Sequence, residues 1–289
     1  AYRLSKGYSP LIATIEELYD QFAYGINKHP LAIRNFARLA INEFPSPPTQ
    51  LFLIGKAVNA LISRFKASNY YDNKLPSFGF PACDNLFTAG LIGTTYEAAV
   101  PTGRLVARSN QDIADYLDKV KTYEQQIENF TDQIDDRLWM KRILHFAGGT
   151  SDQEQELFAS YLRNHRLIAE DTLYGGQITT FLKTSSAAVQ TQISDSVKIL
   201  IDGGTNVLQF FGHGAGGQLG FSIGDPGLYG KYPLFIANSC NVGDLHNEET
   251  GTRTLNEEFV LAKDKGAIAF LSSVDQGYAN YLHEYTTSF

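Results

Sequence analysis

The chain has 289 residues and a formal net charge of −7, and this length predicts one or two globular domains. Hydrophobic residues make up 43% of the chain and charged residues 19%, which is typical of a globular fold. The negative charge and the lack of a dense Lys/Arg run argue against nucleic acid as a partner. No stretch of 18 apolar residues indicates a membrane span. Two cysteines, Cys83 and Cys240, form neither a disulfide framework nor a zinc site.

The first part of the chain is predicted to alternate helices with short strands. Hydrophobic periodicity and capping residues place helices over residues 14–25, 29–44 and 109–130, and strands over 50–57 and 97–107. Residues 70–90, "YYDNKLPSFGFPACDNLFTAG", are rich in Pro, Gly, Asn and aromatic side chains. They are therefore predicted to form a long loop, and loops of this length are usually functional or disordered.

The second part of the chain has a regular alternation of strands and helices. Strands are predicted over residues 142–149, 171–176, 207–214, 233–240 and 267–274, and helices over 151–165, 191–204 and 254–265. Three of these strands are continuous apolar runs, which indicates burial on both faces. The predicted fold class is therefore α/β, with mostly parallel sheets covered by helices.

Two of the apolar runs end on a reactive residue: "VLQFFGHG" reaches His213 and "PLFIANSC" reaches Cys240. Sites in parallel α/β sheets lie at the carboxyl ends of the strands. A thiol attacks as the thiolate, and a neighbouring imidazole helps to generate it. The pattern predicts Cys240 as nucleophile and His213 as general base. The backbone N–H groups of Gly214 and Cys240 are predicted to form an oxyanion hole.

Each of these residues also has an interpretation that involves no catalysis. A cysteine after an apolar run is most often structural, and a single histidine is usually an ordinary hydrogen-bonded residue, but the pair at two strand ends favours catalysis. Residues 212–217 fit G-x-G-x-x-G, yet no helix follows, so a dinucleotide site is not favoured. Surface or capping roles are expected for the scattered histidines, His29, His145, His165 and His283.

The stretches "FFGHGA" and "PLFIANSCNVGDL" together resemble the gingipain-type cysteine peptidases, relatives of the caspases. The resemblance extends over residues 14–280 and includes "LFLIGKA", "VPTGRLVARSNQDIADYLDKVKTYE" and "RILHFAGGTSDQE". It implies a caspase-like fold of two subdomains, here divided into 1–136 and 137–289. The second subdomain would carry the dyad, with Cys240 matching the family's nucleophile and His213 its base.

One departure from the family pattern concerns the acid that orients the histidine. Gingipains place it after the strand equivalent to "RILHFAGG", where this chain has Gly148 and Gly149. Asp152 is the nearest acid downstream. The resemblance implies that it either orients His213 or lines a primary specificity pocket, where it would favour a basic P1 side chain. An ordinary acidic helix start is the alternative role of Asp152.

The resemblance implies peptide-bond hydrolysis or transpeptidation on a polypeptide substrate, by the catalytic domain of a larger secreted or surface protein. One setting is sortase-like removal of a C-terminal secretion signal, with type IX secretion components as partners, at the outer-membrane surface of a Bacteroidetes-type bacterium. Degradative peptidases are another. No cofactor is required, and no metal site is predicted, although family members bind structural calcium. The alternative, motivated by the missing acid, is a catalytically inactive structural or peptide-binding module.

Overall fold

The computed structural model describes residues 1–129, 131–187, 190–191, 195–215, 218–222, 230–247 and 253–289. The chain divides into two compact units, Ala1–Val106 with His246–Glu249 and Ala107–Leu245 with Thr250–Phe289. The boundary predicted at residue 136 follows the long helix, whereas this division precedes it. None of the helices in the described ranges is long and apolar enough to cross a membrane.

The first unit is built from short helices around a small parallel sheet. Its elements are α1 (Tyr2–Ser5), α2 (Ile15–Phe22), α3 (Leu31–Glu43), α4 (Ala67–Asp72), β1 (Leu51–Ile54) and β2 (Thr102–Leu105). Helix α2 begins at a capping box in which Thr14 and Glu17 satisfy each other's backbone N–H groups. Tyr19, Leu53 and Phe87 are among the buried residues of its hydrophobic core. Strands β1 and β2 pair in parallel.

The predicted loop over residues 70–90 begins within α4 and contains the 3₁₀ turn Asp84–Phe87, and another 3₁₀ turn, Ile62–Arg64, precedes α4. Arg104 of β2 anchors this segment through its buried guanidinium group, which forms a bidentate ion pair with Asp84 at 2.7 and 2.8 Å. The same guanidinium donates to the carbonyl groups of Gly55, Leu75 and Pro76. A planar guanidinium group with five N–H donors can bind several segments of the chain at once. The hydrogen bonds of Arg104 therefore hold this loop in place.

The second unit is an α/β layer structure. Its helices are α5 (Asn110–Glu128), α6 (Asp152–Ala169), α7 (Asp195–Asp202), α8 (Leu255–Leu261) and α9 (Ala279–Ser288). Its strands are β3 (Arg142–Ala147), β4 (Gln177–Leu182), β5 (Gln190–Thr191), β6 (Val207–Phe211), β7 (Gly214–Ala215), β8 (Gln218–Leu219), β9 (Phe221–Ser222), β10 (Leu234–Asn238) and β11 (Ala269–Ser272). A five-stranded parallel sheet has the order β11-β10-β6-β3-β4. The predicted α/β class with parallel sheets covered by helices is confirmed.

The strand predicted over residues 171–176 is wrong. These residues form a turn, in which the N–H of Gly175 donates to the Asp171 carbonyl at 2.6 Å and Gly175 has φ +64°. The strand follows directly as β4, "QITTFL", which contains three consecutive β-branched residues and a phenylalanine, residue types that favour strands. In the helix predicted over 191–204, residues 192–194 lie outside the described ranges, and α7 covers Asp195–Asp202. Residues 216–217 of the glycine-rich stretch also lie outside them.

The two faces of the five-stranded sheet have different characters, because successive side chains of a strand point to opposite faces. One face is apolar and packs against α7 and α8 through Leu144, Phe146, Leu208, Phe210, Phe235 and Ala237. On the other face, Ala147 of β3 and Phe211 of β6 pack against the helices, which contribute Phe158 and Leu162 from α6 and Leu282 from α9. The second face also holds three buried polar residues, His145, Gln209 and Asn238.

Candidate active site

The register of the sheet brings His213 and Cys240 to corresponding positions. Strands β6 and β10 are parallel neighbours, and their last residues, Phe211 and Asn238, are paired. His213 and Cys240 each follow two residues later. The N–H of Gly212 donates to the Asn238 carbonyl at 3.1 Å, which extends the pairing beyond the strands. The two residues therefore lie at the same edge of the sheet, beyond adjacent strands.

The turn that carries the histidine packs closely on the turn that carries the cysteine. A Cβ atom added to Gly214 would lie 2.2 Å from Ser239 Oγ, 2.6 Å from Val242 Cγ2 and 3.3 Å from the Cys240 carbonyl oxygen. Real Cβ atoms do not approach other atoms this closely, so any side chain at Gly214 would push the two turns apart. The glycine after His213 is thus required by close packing against the turn that carries Cys240.

The backbone around Cys240 is fixed by its neighbours. Asn241 adopts φ +56°, a left-handed conformation that Asn tolerates better than most residues, and its N–H donates to the Asp275 carbonyl at 2.9 Å. The sulfur faces the backbone of Gly277. Gly277 N–H donates to Cys240 Sγ at 3.4 Å, and the thiol donates to the Gly277 carbonyl at 3.6 Å. This geometry offers the sulfur a backbone donor.

A carboxylate orients His213, and it belongs to Glu154. His213 Nε2 lies 3.0 Å from Glu154 Oε1. The second carboxylate oxygen, Oε2, accepts from the backbone N–H of Thr150 at 2.8 Å and from its hydroxyl at 2.7 Å. Donation from the Thr150 backbone, then from its hydroxyl and from His213, lowers the pKa of Glu154 to about 2. The carboxylate is therefore charged at neutral pH, and a proton on Nε2 leaves Nδ1 of His213 as the basic nitrogen.

Sequence reasoning missed Glu154, although a local signal was present. Ser151 caps α6 by accepting from the Glu154 N–H at 3.3 Å, and this S-x-x-E pattern fixes Glu154 at the first turn of the helix. Asp152 is the exposed first residue of the same helix. The carboxylate at His213 comes from Glu154, two residues further along. The role of Asp152 in a specificity pocket stays a prediction.

The glycines found at the expected place of the acid have a packing role. A Cβ atom on Gly148 would lie 3.1 Å from the Gly212 Cα, and one on Gly149, where φ is +115°, would lie 2.7 Å from the Gln155 nitrogen. Side chains there would separate the ends of β3 and β6 and push α6 away. These glycines let the first turn of α6 approach the histidine turn, so the helix supplies the acid.

The predicted oxyanion hole has compatible backbone geometry at Gly214. Gly214 and Leu219 are opposed in a short antiparallel ladder, and Gly220 N–H donates to the His213 carbonyl at 2.9 Å. In such a ladder this bond makes Gly214 and Leu219 a non-hydrogen-bonded pair, so the Gly214 N–H points away from Leu219. The assignment of Gly214 and Cys240 as oxyanion donors stays a prediction.

Two expectations about other residues differ in outcome. Surface roles are wrong for His145 and His165, which are 1% and 6% exposed. Burial, followed by neighbouring positive groups, lowers the pKa of His145 to about 3, and burial lowers that of His165 to about 4. Both are neutral at pH 7. Among the described residues no group of three or more His, Cys, Asp or Glu side chains could hold a metal ion, and structural calcium stays a prediction.

Comparison with known proteins places the chain in a family. The model of peptidase family C25 matches residues 1–289. The crystal structure of the Arg-specific cysteine proteinase gingipain R has 18% sequence identity and a TM-score of 0.62, and the match covers 88% of this chain and 55% of that one. The complex of the pro- and mature domains of Porphyromonas gingivalis RgpB has 15% identity and a TM-score of 0.60, over 93% of this chain and 59% of that one.

These structural matches show a shared fold, and the chain spans little more than half the length of the proteins it resembles. No curated protein sequence matches the chain. The family model covers every residue, including both strand ends that carry His213 and Cys240. The resemblance predicted from the sequence is confirmed, and the chain belongs to peptidase family C25, the gingipain family.

Proposed function

We propose that the chain is a cysteine endopeptidase that cleaves polypeptides through Cys240. The observation that carries the proposal is the register of β6 and β10, which places His213 and Cys240 at corresponding positions beyond adjacent parallel strands. The hydrogen bond from His213 to Glu154 completes a nucleophile, a base and an orienting acid. This arrangement has the logic of a catalytic triad.

The chemistry follows from the positions of these groups. His213 Nδ1 accepts the thiol proton, and the Cys240 thiolate attacks the carbonyl carbon of the scissile bond. The negative oxygen of the tetrahedral intermediate is received by the N–H groups of Gly214 and Cys240. The imidazolium then returns its proton to the leaving amine as the C–N bond breaks, which leaves a thioester on Cys240. Glu154 stabilises the imidazolium meanwhile.

A substitution of the nucleophile tests the proposal. Cys240→Ala should reduce cleavage of a fluorogenic peptide mixture to background and prevent thioester formation with a peptidyl electrophile. Cys83→Ala is the matched control, because Cys83 is the only other cysteine in the sequence, and it should retain full activity. Peptide cleavage that persists in folded Cys240→Ala protein would contradict the mechanism.

The substrate side is proposed from the acidic helix start. Asp152 lies two residues before Glu154 on α6 and is exposed, so a basic P1 side chain would find a carboxylate near the dyad. The Arg specificity named for gingipain R supports this assignment. Peptides with Arg or Lys at P1 should be cleaved faster than matched Leu peptides, and Asp152→Asn should remove the preference. Equal rates on the three peptides would contradict it.

The fate of the thioester and the site of action complete the proposal. An amine acceptor in place of water would give sortase-like transpeptidation, with a C-terminal secretion signal as substrate and type IX secretion components as partners. We propose action outside the cell or at the outer-membrane surface of a Bacteroidetes-type bacterium, supported by the Porphyromonas source of a similar structure. Mass spectrometry with an added aminoacyl acceptor distinguishes hydrolysis from transfer. The contact between Glu154 and His213 supports an active enzyme over the inactive module that the absent acid suggests.

A further inference from the structure

The sulfur of Cys240 depends on one backbone group outside its own turn. Gly277 N–H donates to Cys240 Sγ at 3.4 Å. A Cβ atom on Gly277 would lie 2.6 Å from Leu282 Cδ1 and 3.2 Å from the Ser239 carbonyl oxygen, so this position sits tightly between α9 and the nucleophile turn. Helix α9 begins two residues later. The position of this helix therefore controls the position of the donor.

A buried side chain near Cys240 fastens the same helix to the sheet. Asn238, the last residue of β10, is 4% exposed. Its Nδ2 group donates to Thr286 Oγ1 at 2.6 Å and to the Leu282 carbonyl at 3.2 Å, both on α9. Its Oδ1 atom accepts from Gln209 Nε2 at 2.9 Å. Three hydrogen bonds thus fix the amide of Asn238 between two strands and the helix.

A second contact holds α9 from the side of α6. His283 Nδ1 lies 2.9 Å from His165 Nε2, and its ring stacks on Tyr161 with centroids 4.4 Å apart. His165 Nδ1 in turn lies 2.8 Å from Gln209 Nε2. The helix is therefore tied to both strands that lead to the dyad.

We propose that Asn238 and Thr286 are positioning residues for the nucleophile, which hold α9 so that the Gly277 N–H stays on the Cys240 sulfur. The inference deepens the proposed function and rests on Cys240 as nucleophile. A donated N–H stabilises the thiolate relative to the thiol, because hydrogen bonds to charged groups are stronger than those to neutral ones. The benefit is lost when the donor moves by a few tenths of an ångström, since hydrogen bonds weaken steeply with geometry.

The test measures the sulfur directly, without a peptide substrate. Iodoacetamide alkylates a thiolate, forming an S–C bond as iodide leaves, so its rate reports the thiolate that is present and accessible. Thr286→Val removes the hydroxyl that accepts from Asn238 and keeps the side-chain shape. We expect alkylation of Cys240 at neutral pH to slow about three- to ten-fold, and the alkylation-against-pH curve to move to higher pH. Peptide mass spectrometry follows Cys240 and Cys83 separately.

Thr287→Val is the matched control. Thr287 Oγ1 donates to the His283 carbonyl at 2.8 Å, just as Thr286 Oγ1 donates to the Leu282 carbonyl at 3.0 Å, but Thr287 is exposed, and the hydroxyl that accepts from Asn238 is that of Thr286. Both variants lose one such bond within the helix, and only Thr286→Val loses the contact to the sheet. Thr287→Val and Thr286→Ser, which keeps the hydroxyl, should both alkylate like the unmodified protein.

Two results would overturn the proposal. One is an equal rate of Cys240 alkylation in Thr286→Val and Thr287→Val. The other is an alkylation rate that falls equally at Cys240 and Cys83 in Thr286→Val. A catalytic readout adds a second criterion, because a positioning role predicts a lower kcat with little change in KM, and rescue by Thr286→Ser. Retained cleavage by Cys240→Ala would defeat the proposed function but would leave the alkylation comparison intact, so the two failures are distinguishable.

Discussion

The two faces of the five-stranded sheet use the same strands in different ways. The face toward α7 and α8 is filled by apolar side chains, among them Leu208 and Phe210, which are 0% and 1% exposed. The face toward α6 and α9 holds His145, Gln209 and Asn238 in neighbouring strands. The apolar face requires only volume and close packing, whereas the polar face also uses directed hydrogen bonds, which join Gln209 to Asn238 and to His165.

The difference shows how the fold positions its site. Gln209 Nε2 has two hydrogens and donates to both Asn238 Oδ1 and His165 Nδ1. His165 therefore carries its proton on Nε2 and donates it to His283 Nδ1. With Nδ1 accepting and Nε2 donating, the His165 imidazole is neutral, which agrees with its lowered pKa of about 4. The helices fixed in this way are α6 and α9, which bring Glu154 to His213 and Gly277 to Cys240.

The largest expected effect is a loss of stability on the apolar face. Leu208→Ala should lower the free energy of unfolding by about 3 to 5 kcal/mol, since it removes buried apolar surface and leaves a cavity. The fluorescence of Trp139, the single tryptophan, which lies buried in the second unit, can follow urea unfolding. Alkylation of Cys240 in the folded protein should stay close to its original rate. A stability loss under about 1 kcal/mol would mean that this face tolerates cavities.

The polar face should instead make the stability of the fold decrease as the pH falls. Burial, with smaller contributions from the nearby His165 and Arg166, lowers the pKa of His145 to about 3 in the folded protein, from about 6.5 when unfolded. The unfolded chain therefore binds the extra proton first, and stability is lost as the pH falls below 6.5. At pH 5 this group alone contributes a loss of about 2 kcal/mol.

Replacing the imidazole isolates that contribution. His145→Leu should reduce the difference in unfolding free energy between pH 7.5 and pH 5 by about 2 kcal/mol, measured by urea titration at the two pH values. The stability of the variant at either single pH is not the criterion, because the lost and gained packing affects both values equally. An unchanged pH difference would show that His145 does not remain neutral in the fold.

A near-isosteric change at the centre of the polar network separates packing from positioning. Gln209→Leu keeps the volume but leaves Asn238 Oδ1 and His165 Nδ1 without their donor, at a cost of about 1 to 2 kcal/mol in stability. In Gln209→Leu, alkylation of Cys240 by iodoacetamide should slow several-fold. In Leu208→Ala, which is less stable, it should not. If the less stable of the two variants is also the one with the slower Cys240 alkylation, loss of stability alone explains the rates, and the two faces have the same role.

The sequence predicted the parts of this architecture that depend on apolar runs. The strands before His213 and Cys240 are predicted because each is a continuous apolar run, and such runs indicate the buried strands of a parallel sheet. The strand placed over residues 171–176 failed because two glycines form a turn there. The polar residues of the other face were not predicted as a group, because His145, Gln209 and Asn238 are single polar residues in separate strands, and only the register shows that they share a face.

The orienting acid illustrates the same limit at shorter range. Asp152 and Glu154 are two residues apart at one helix start, and both are acids near the expected place. The choice between them depends on the direction in which the first turn of α6 points. That direction is set by the glycines at positions 148 and 149, by the Ser151 cap and by two hydrogen bonds from Thr150 to Glu154.

The smallest expected effect tests that last pair of bonds. Helix α6 buries His165 among partners, whereas Glu154 at its first turn is about one-third exposed. Thr150→Val removes the hydroxyl from Glu154 Oε2 and leaves the backbone donor in place. Because exposed charge-assisted bonds contribute little, kcat/KM for peptide cleavage should fall only about two- to five-fold, and Thr150→Ser should restore it. Glu154→Gln, which removes the carboxylate charge, is the reference variant. If Thr150→Val lowered kcat/KM as much as Glu154→Gln does, the hydroxyl alone would set the orientation of the carboxylate, and the exposed end of α6 would depend on its side-chain contacts as strongly as the buried middle.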